Sequence, residues 1–196
     1  MHWLLVSLIV TQAADLSGVK HTDPVPTDIA APVAAKVAPG GVRATANGTT
    51  ITFWWVTDLP GAAWADVPEG TLVGAVKLDA DVRDIRGHVM KAGVYTLRYG
   101  IQPKTDDHFG VSPFRNFLLL SPAAIDKDPA ARDHDATVEL SAQTLGGKHP
   151  AVLSIDPPAA KDPPLAVYTT DLGHKSLIVE VGKLKFGIVL IGRIRT

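Results

Sequence analysis

Residues 41–56 read GVRATANGTTITFWWV, and the dipeptide Asn47-Gly48 at their centre decides what kind of chain this is. Both central residues of a type I′ turn need positive φ, which Asn and Gly adopt at least cost, so 41–45 and 50–56 are predicted as the arms of an antiparallel hairpin. In the second arm Ile51, Phe53 and Trp55 point one way while Thr52, Trp54 and Val56 point the other. Apolar side chains on both faces predict a strand covered on both sides. Asn47-Gly48-Thr49 also matches a glycosylation sequon, but in so tight a turn the backbone reading takes precedence.

The same short period continues outward. Strand-length apolar runs recur at 71–78, 84–90, 94–101, 117–120, 151–155, 167–170, 176–181 and 186–191, separated by turn residues such as Lys91-Ala92-Gly93 and Gly182-Lys183. Two stretches fit helices better. Residues 29–37 would be capped by Thr27 or Asp28, with Pro32 in the first turn, and would stop at Pro39-Gly40-Gly41. Residues 133–145 would begin on the acids of Asp133-His134-Asp135 and end at Gly146-Gly147. The expectation is an all-β domain, mainly an antiparallel β-sandwich of jelly-roll or Ig-like type, with one or two short peripheral helices.

Composition narrows the chemistry. The chain has 196 residues, 19 Lys+Arg against 20 Asp+Glu, and no cysteine, which excludes disulfide scaffolds, thiol nucleophiles and zinc-thiolate sites. A net charge of -1 gives no basic stripe for nucleic acid. With 46% hydrophobic residues the chain can bury a core large enough to need no staple. At the N-terminus, WLLVSLIV (3–10) is too short to span a bilayer but suits a signal peptide, with small Thr11 and Ala13 before the cut. The expected organisation is a signal peptide at 1–13, a Pro/Ala-rich leader with a possible short helix at 14–40, and one β-sandwich domain at 41–196. The product is expected to be exported, periplasmic or extracellular, with no stable membrane anchor after cleavage.

No GxSxG, HExxH, GxxxxGK[ST] or GxGxxG occurs, so enzymatic activity is not the favoured reading. Histidines beside carboxylates remain. Asp133-His134-Asp135 reads as a helix start. Asp106-Asp107-His108 lies in a loop that continues through Phe109, Gly110, Pro113, Phe114, Arg115 and Asn116, and loops are where sites are carried. His108, Arg115 and Asn116 offer hydrogen bonds, Phe109 offers an apolar face, and Trp64, in a Pro-Gly-Ala loop, is the tryptophan expected to be exposed for stacking. The leading expectation is a binding or interaction module for a small ligand, glycan or envelope partner, centred on 106–116. The first alternative is a divalent metal held by Asp106, Asp107 and His108, joined in space by His88 or His149; no other cofactor is expected. The second is a structural envelope or assembly subunit. Against a ligand role stands the reading in which Arg115 pairs with a loop carboxylate and the phenylalanines close the end of the domain.

Several runs also resemble a family of uncharacterised exported bacterial β-sandwich proteins. They are Gly87 to Met90, read as a strand and turn, and Gly93-Val94-Tyr95-Thr96-Leu97-Arg98-Tyr99, then Asp107-His108 with Gly110-Val111, Pro113 and Arg115, then Phe117 through Leu120, Pro122-Ala123-Ala124, Asp126, Asp128-Pro129 and His149-Pro150-Ala151-Val152-Leu153-Ser154. Asn116 stands where that pattern carries an acid. The resemblance implies export and a β-sandwich fold, and no activity.

Overall fold

The computed structural model describes residues 18–104, 114–159 and 161–192. Twelve strands form: β1 (Gly18–His21), β2 (Val37–Ala46), β3 (Thr49–Val56), β4 (Leu72–Leu78), β5 (Val82–Arg83), β6 (Val89–Met90), β7 (Gly93–Ile101), β8 (Asn116–Pro122), β9 (Ala151–Asp156), β10 (Val167–Thr169), β11 (Lys175–Val181) and β12 (Leu184–Ile191). Two α-helices accompany them, α1 (Ala31–Ala34) and α2 (His134–Ala142). The β2–β3 hairpin turns on Asn47 (φ 50°) and Gly48 (φ 77°), with Ala46 paired to Thr49, as its dipeptide requires.

Ten strands make one continuous antiparallel sheet in the order β1-β2-β3-β4-β7-β8-β9-β12-β11-β10, and β5–β6 is a separate small hairpin. The first seven of these strands follow one another along the chain as a meander. The chain then crosses by residues 157–166 to the far edge, and β10, β11 and β12 return to set β12 beside β9, a Greek-key arrangement. The sheet's two ends meet where Gly18 N–H donates to Leu165 O at 3.1 Å. Inside, Trp55 of β3 lies edge-on to Phe186 of β12, 6.2 Å between centroids, although these strands stand five places apart in the ten-strand order. Contact between such distant strands requires the sheet to curl round upon itself. The protein is therefore a predominantly antiparallel β protein with a barrel-like sheet; two facing sheets, as in a jelly-roll or Ig-like sandwich, are not what the pairing shows.

Three local readings are corrected. Residues 84–90 are not one strand: β5 and β6 are two residues each, and between them Asp84 accepts the N–H groups of Arg86 and His88 at 2.9 Å, closing a turn. The first helix has only four residues and an Ala30 cap, because Val37 is drawn into β2. Residues 18–21, expected as extended leader, are the first strand of the sheet and pair with 41–44. By contrast α2 starts as expected, with Asp133 accepting Ala136 N–H at 2.8 Å, and its short 3-10 continuation ends on Gly146 at φ 78°.

Strand alternation gives two buried faces. Ile51, Phe53 and Trp55 face the barrel interior; on the outer face Trp54 is covered by His21, whose ring lies 5.2 Å away, and donates its indole N–H to Asp23 O. This is the two-sided covering that the apolar pattern of 50–56 demanded.

Candidate functional site

The site is built on the outer faces of β7, β8 and β9. On β7, Tyr95, Leu97 and Tyr99 point inward, which leaves Thr96, Arg98 and Gly100 outside; on β8, Phe117 and Leu119 point outward. All are nonetheless buried, because residues 123–145 fold back over them. Arg98 holds that cover in place. Its guanidinium is fully buried and grips Asp126 through two bonds, Nε to Oδ2 at 2.7 Å and Nη2 to Oδ1 at 2.8 Å. Nη1 donates to Gly70 O and Ala130 O, and Nη2 also donates to Asp128 O, so all five donors are used. Thr96 adds its hydroxyl to Asp126. The bidentate pair is dry and fully satisfied, the condition under which a buried charge is tolerable.

Gly70 stands at the centre of this arrangement. It occupies the third position of the 68–71 turn at φ +74°, and a Cβ there would lie 1.9 Å from Arg132 O. Only glycine lets the turn before β4 touch the segment leading into α2.

Between this outer cover and the sheet lies a cavity of about 210 Å³. Its floor is Gly100, Phe117, Leu119 and Val152; Thr137 and Val138 of α2 form one wall, and Ile85 and Pro150 form another. Gly100 leaves the space that Leu119 fills, since a Cβ would come 2.2 Å from Leu119 Cδ1. Apart from two hydroxyls, the polar side chains in the lining are Glu69, His134, Gln102 and Arg86. Glu69 Oε1 accepts Ile101 N–H at 2.6 Å and sits 3.3 Å from His134 Nδ1. The carboxylate therefore favours the tautomer protonated at Nδ1 and leaves Nε2 with a lone pair. Two hydroxyls lie in the lining and both are engaged: Thr137 donates to Asp133 O, and Tyr99 donates to Asn116 Oδ1 at 2.7 Å. Burial, with the Glu69 carboxylate adding to it, pushes the Tyr99 phenol up to about 12.

The expected site residues are dispersed. Asp106, Asp107, His108 and Phe109 lie outside the described residues. Arg115 donates Nε and Nη2 to Gln102 O, at 2.8 and 2.6 Å; the loop carboxylates weighed as its partners, Asp106 and Asp107, lie outside the described residues. Asn116 holds Tyr99. Trp64 is not the exposed platform expected: it is half-buried, stacked on Tyr99 at 4.7 Å and edge-on to Phe186 at 4.9 Å, so its ring serves the interior. His149 lies against His88, and no group of three or more His, Asp or Glu able to hold a metal occurs among the described residues. The pair at the cavity, Glu69 and His134, was not singled out from the sequence as a site. Its members are 65 positions apart, and no local pattern in the sequence joins them.

No family model matches the chain, and no curated protein and no solved structure is significantly similar to it.

Proposed function

We propose that this chain is a small-molecule binding protein that works outside the cytoplasm, and that its ligand is a compact, largely apolar molecule carrying one hydrogen-bond donor, such as a phenol or an amine. The observation that carries the reading is an apolar cavity of about 210 Å³ with the Glu69–His134 pair in its lining. A dry cavity of about 150 Å³ holds benzene, so this one takes a single ring with a substituent or a short chain. A carboxylate accepts about four hydrogen bonds and donates none, which leaves Glu69 capacity beyond Ile101 and His134. With Nε2 unprotonated, the pair presents acceptors and selects a donor. An apolar floor favours a ring or chain over a glycan. Of the residues expected to bind, Arg115 is tied to this cavity through the carbonyl of Gln102, which with Pro103 belongs to the lining. Export rests on the reading of the 1–13 segment as a signal peptide.

The test is calorimetry and thermal shift with p-cresol and hexylamine as probes and toluene as the donor-free control. The expected result is binding of at least one donor-bearing probe, weaker binding of toluene, and loss of both in Leu119→Trp, which fills the floor. Absence of binding by both donors, or equal binding in the filled variant, overturns the reading.

A further inference from the structure

We propose that His88 and His149 form a binding site for a divalent transition-metal ion beside the β5–β6 turn, a site separate from the cavity ligand. The turn is built to aim one imidazole. Asp84, nearly inaccessible to solvent, accepts the backbone N–H groups of Arg86 and His88 on Oδ1, and its Oδ2 lies 3.1 Å from His88 Nδ1. Backbone bonds Asp84 N to His88 O and Gly87 N to Asp84 O, both 3.0 Å, close the loop, with Gly87 at φ +85°. A carboxylate behind one ring nitrogen orients the other and raises its basicity; this is the support that metal-ligating histidines have in known sites. His88 Nε2 is thereby left with its lone pair directed away from Asp84.

His149 supplies the second ring from a different part of the chain. It precedes Pro150, whose ring restricts the His149 backbone to extended conformations. The two imidazole centroids are 5.4 Å apart with planes at 23°. Two imidazoles on one tetrahedral zinc, with Zn–N of about 2.0–2.1 Å and the nitrogen roughly 1.1 Å from its ring centre, have centroids roughly 5.2 Å apart. The observed centroid separation is close to that of two ligands on one ion. His149 is exposed, so a turn about its Cβ–Cγ bond takes the rings from near-parallel to convergent without disturbing the fold. Asp84 contributes the negative charge that offsets Arg86 in the same turn. Two protein nitrogens with water in the remaining positions suit zinc and, more tightly, copper(II).

The experiment is zinc titration by calorimetry on the full chain and on His88→Ala, His149→Ala and Asp84→Asn, with copper(II) electron paramagnetic resonance as a second probe. The wild-type chain is expected to bind one zinc that both alanine variants lose. Asp84→Asn, which keeps both ligands, is expected to bind at least tenfold more weakly. In the copper spectrum, nitrogen couplings from two imidazoles should fall to one in either alanine variant. Circular dichroism confirms the fold, and p-cresol binding should be unchanged in His149→Ala, which keeps this proposal distinct from the cavity reading. Failure of the wild-type chain to bind zinc, or a zinc site that survives both alanine substitutions, overturns the proposal and leaves two stacked rings.

Discussion

Removing the Asp126 charge should loosen the outer cover of the sheet before it unfolds the barrel. In Asp126→Asn the Arg98 guanidinium keeps its carbonyl partners, Gly70, Ala130 and Asp128, but loses the counter-ion that two of its donors face at 2.7 and 2.8 Å. Both members of the pair are inaccessible to solvent. Breaking a buried pair from one side costs about 3–5 kcal/mol, because the remaining charge stays desolvated without compensation. Against a domain stability of about 5–15 kcal/mol this is a large fraction. Arg98→Met should cost a similar amount by orphaning Asp126, whose remaining neighbours are the Thr96 hydroxyl and Arg132 Nη2 at 3.5 Å. The double variant Arg98→Met with Asp126→Asn should cost clearly less than the two single changes summed, since no unpaired charge remains. Guanidinium unfolding of the four proteins measures this coupling, and hydrogen exchange should show the amides of α2 losing protection in Asp126→Asn before those of β3 and β4. A cost under about 1 kcal/mol for Asp126→Asn, or strict additivity in the double variant, would refute the view that this pair pins residues 123–133 to the sheet.

Two glycines with the same φ sign should respond very differently to alanine. Gly48→Ala meets no atom within 4 Å and should cost about 1–2 kcal/mol from its left-handed backbone alone, whereas Gly70→Ala must also displace the Arg132 backbone and should fail to reach the native fold; thermal melts compare them. Tyr99 gives a pH dependence. Its phenol is raised to about 12 in the folded chain, so the folded state binds the proton more tightly, and the stability this contributes is complete below pH 10 and lost as pH rises toward 12. The loss reaches at most about 2–3 kcal/mol, and urea unfolding at pH 9, 10.5 and 11.5 should show it shrinking in Tyr99→Phe. Leu119→Ala should enlarge the cavity, cost about 2–5 kcal/mol and admit a bulkier phenol than p-cresol; unchanged probe selectivity would count against Leu119 as the floor.

What could be read from sequence was local. Asn47-Gly48 determines its own hairpin, and Asp133 with Gly146 brackets a helix, because each signal acts within a few residues. The error at 84–90 had its correction in plain view: Asp at the first and Gly at the fourth position of 84–87 is a turn signature that the apolar Val, Ile and Met obscured. Long-range partnerships are another matter. Alternation along 94–101 places Thr96 and Arg98 on one face of β7, but whether that face meets water or a buried aspartate depends on chain 28–30 positions away. Trp64 was misjudged for the same reason. Its glycine- and alanine-rich loop resembles a solvent-exposed one, and only the tertiary positions of Tyr99 and Phe186 bring it inside. Glu69 and His134 are each unremarkable in sequence, and their meaning arises only where the 68–71 turn reaches the start of α2.

The joins of the barrel are unequal. β9 and β12 share only the pairs Asp156 with Gly187 and Ile155 with Ile188, and among the described residues the other join, β1 to the lead-in of β10, is the bond from Gly18 to Leu165. The strand pairs of the meander, and β11 with β12, are laced by longer ladders, while β10 joins β11 through three pairs. Residues 167–191 are thus a stave set between two thin seams. Lifting it unzips few backbone bonds, yet carries Phe186 away from both Trp55 and Trp64 and opens the aromatic interior. What holds this stave in place is therefore side-chain burial rather than ladder bonds: Leu177, Val179, Phe186 and Ile188 would all lose their cover.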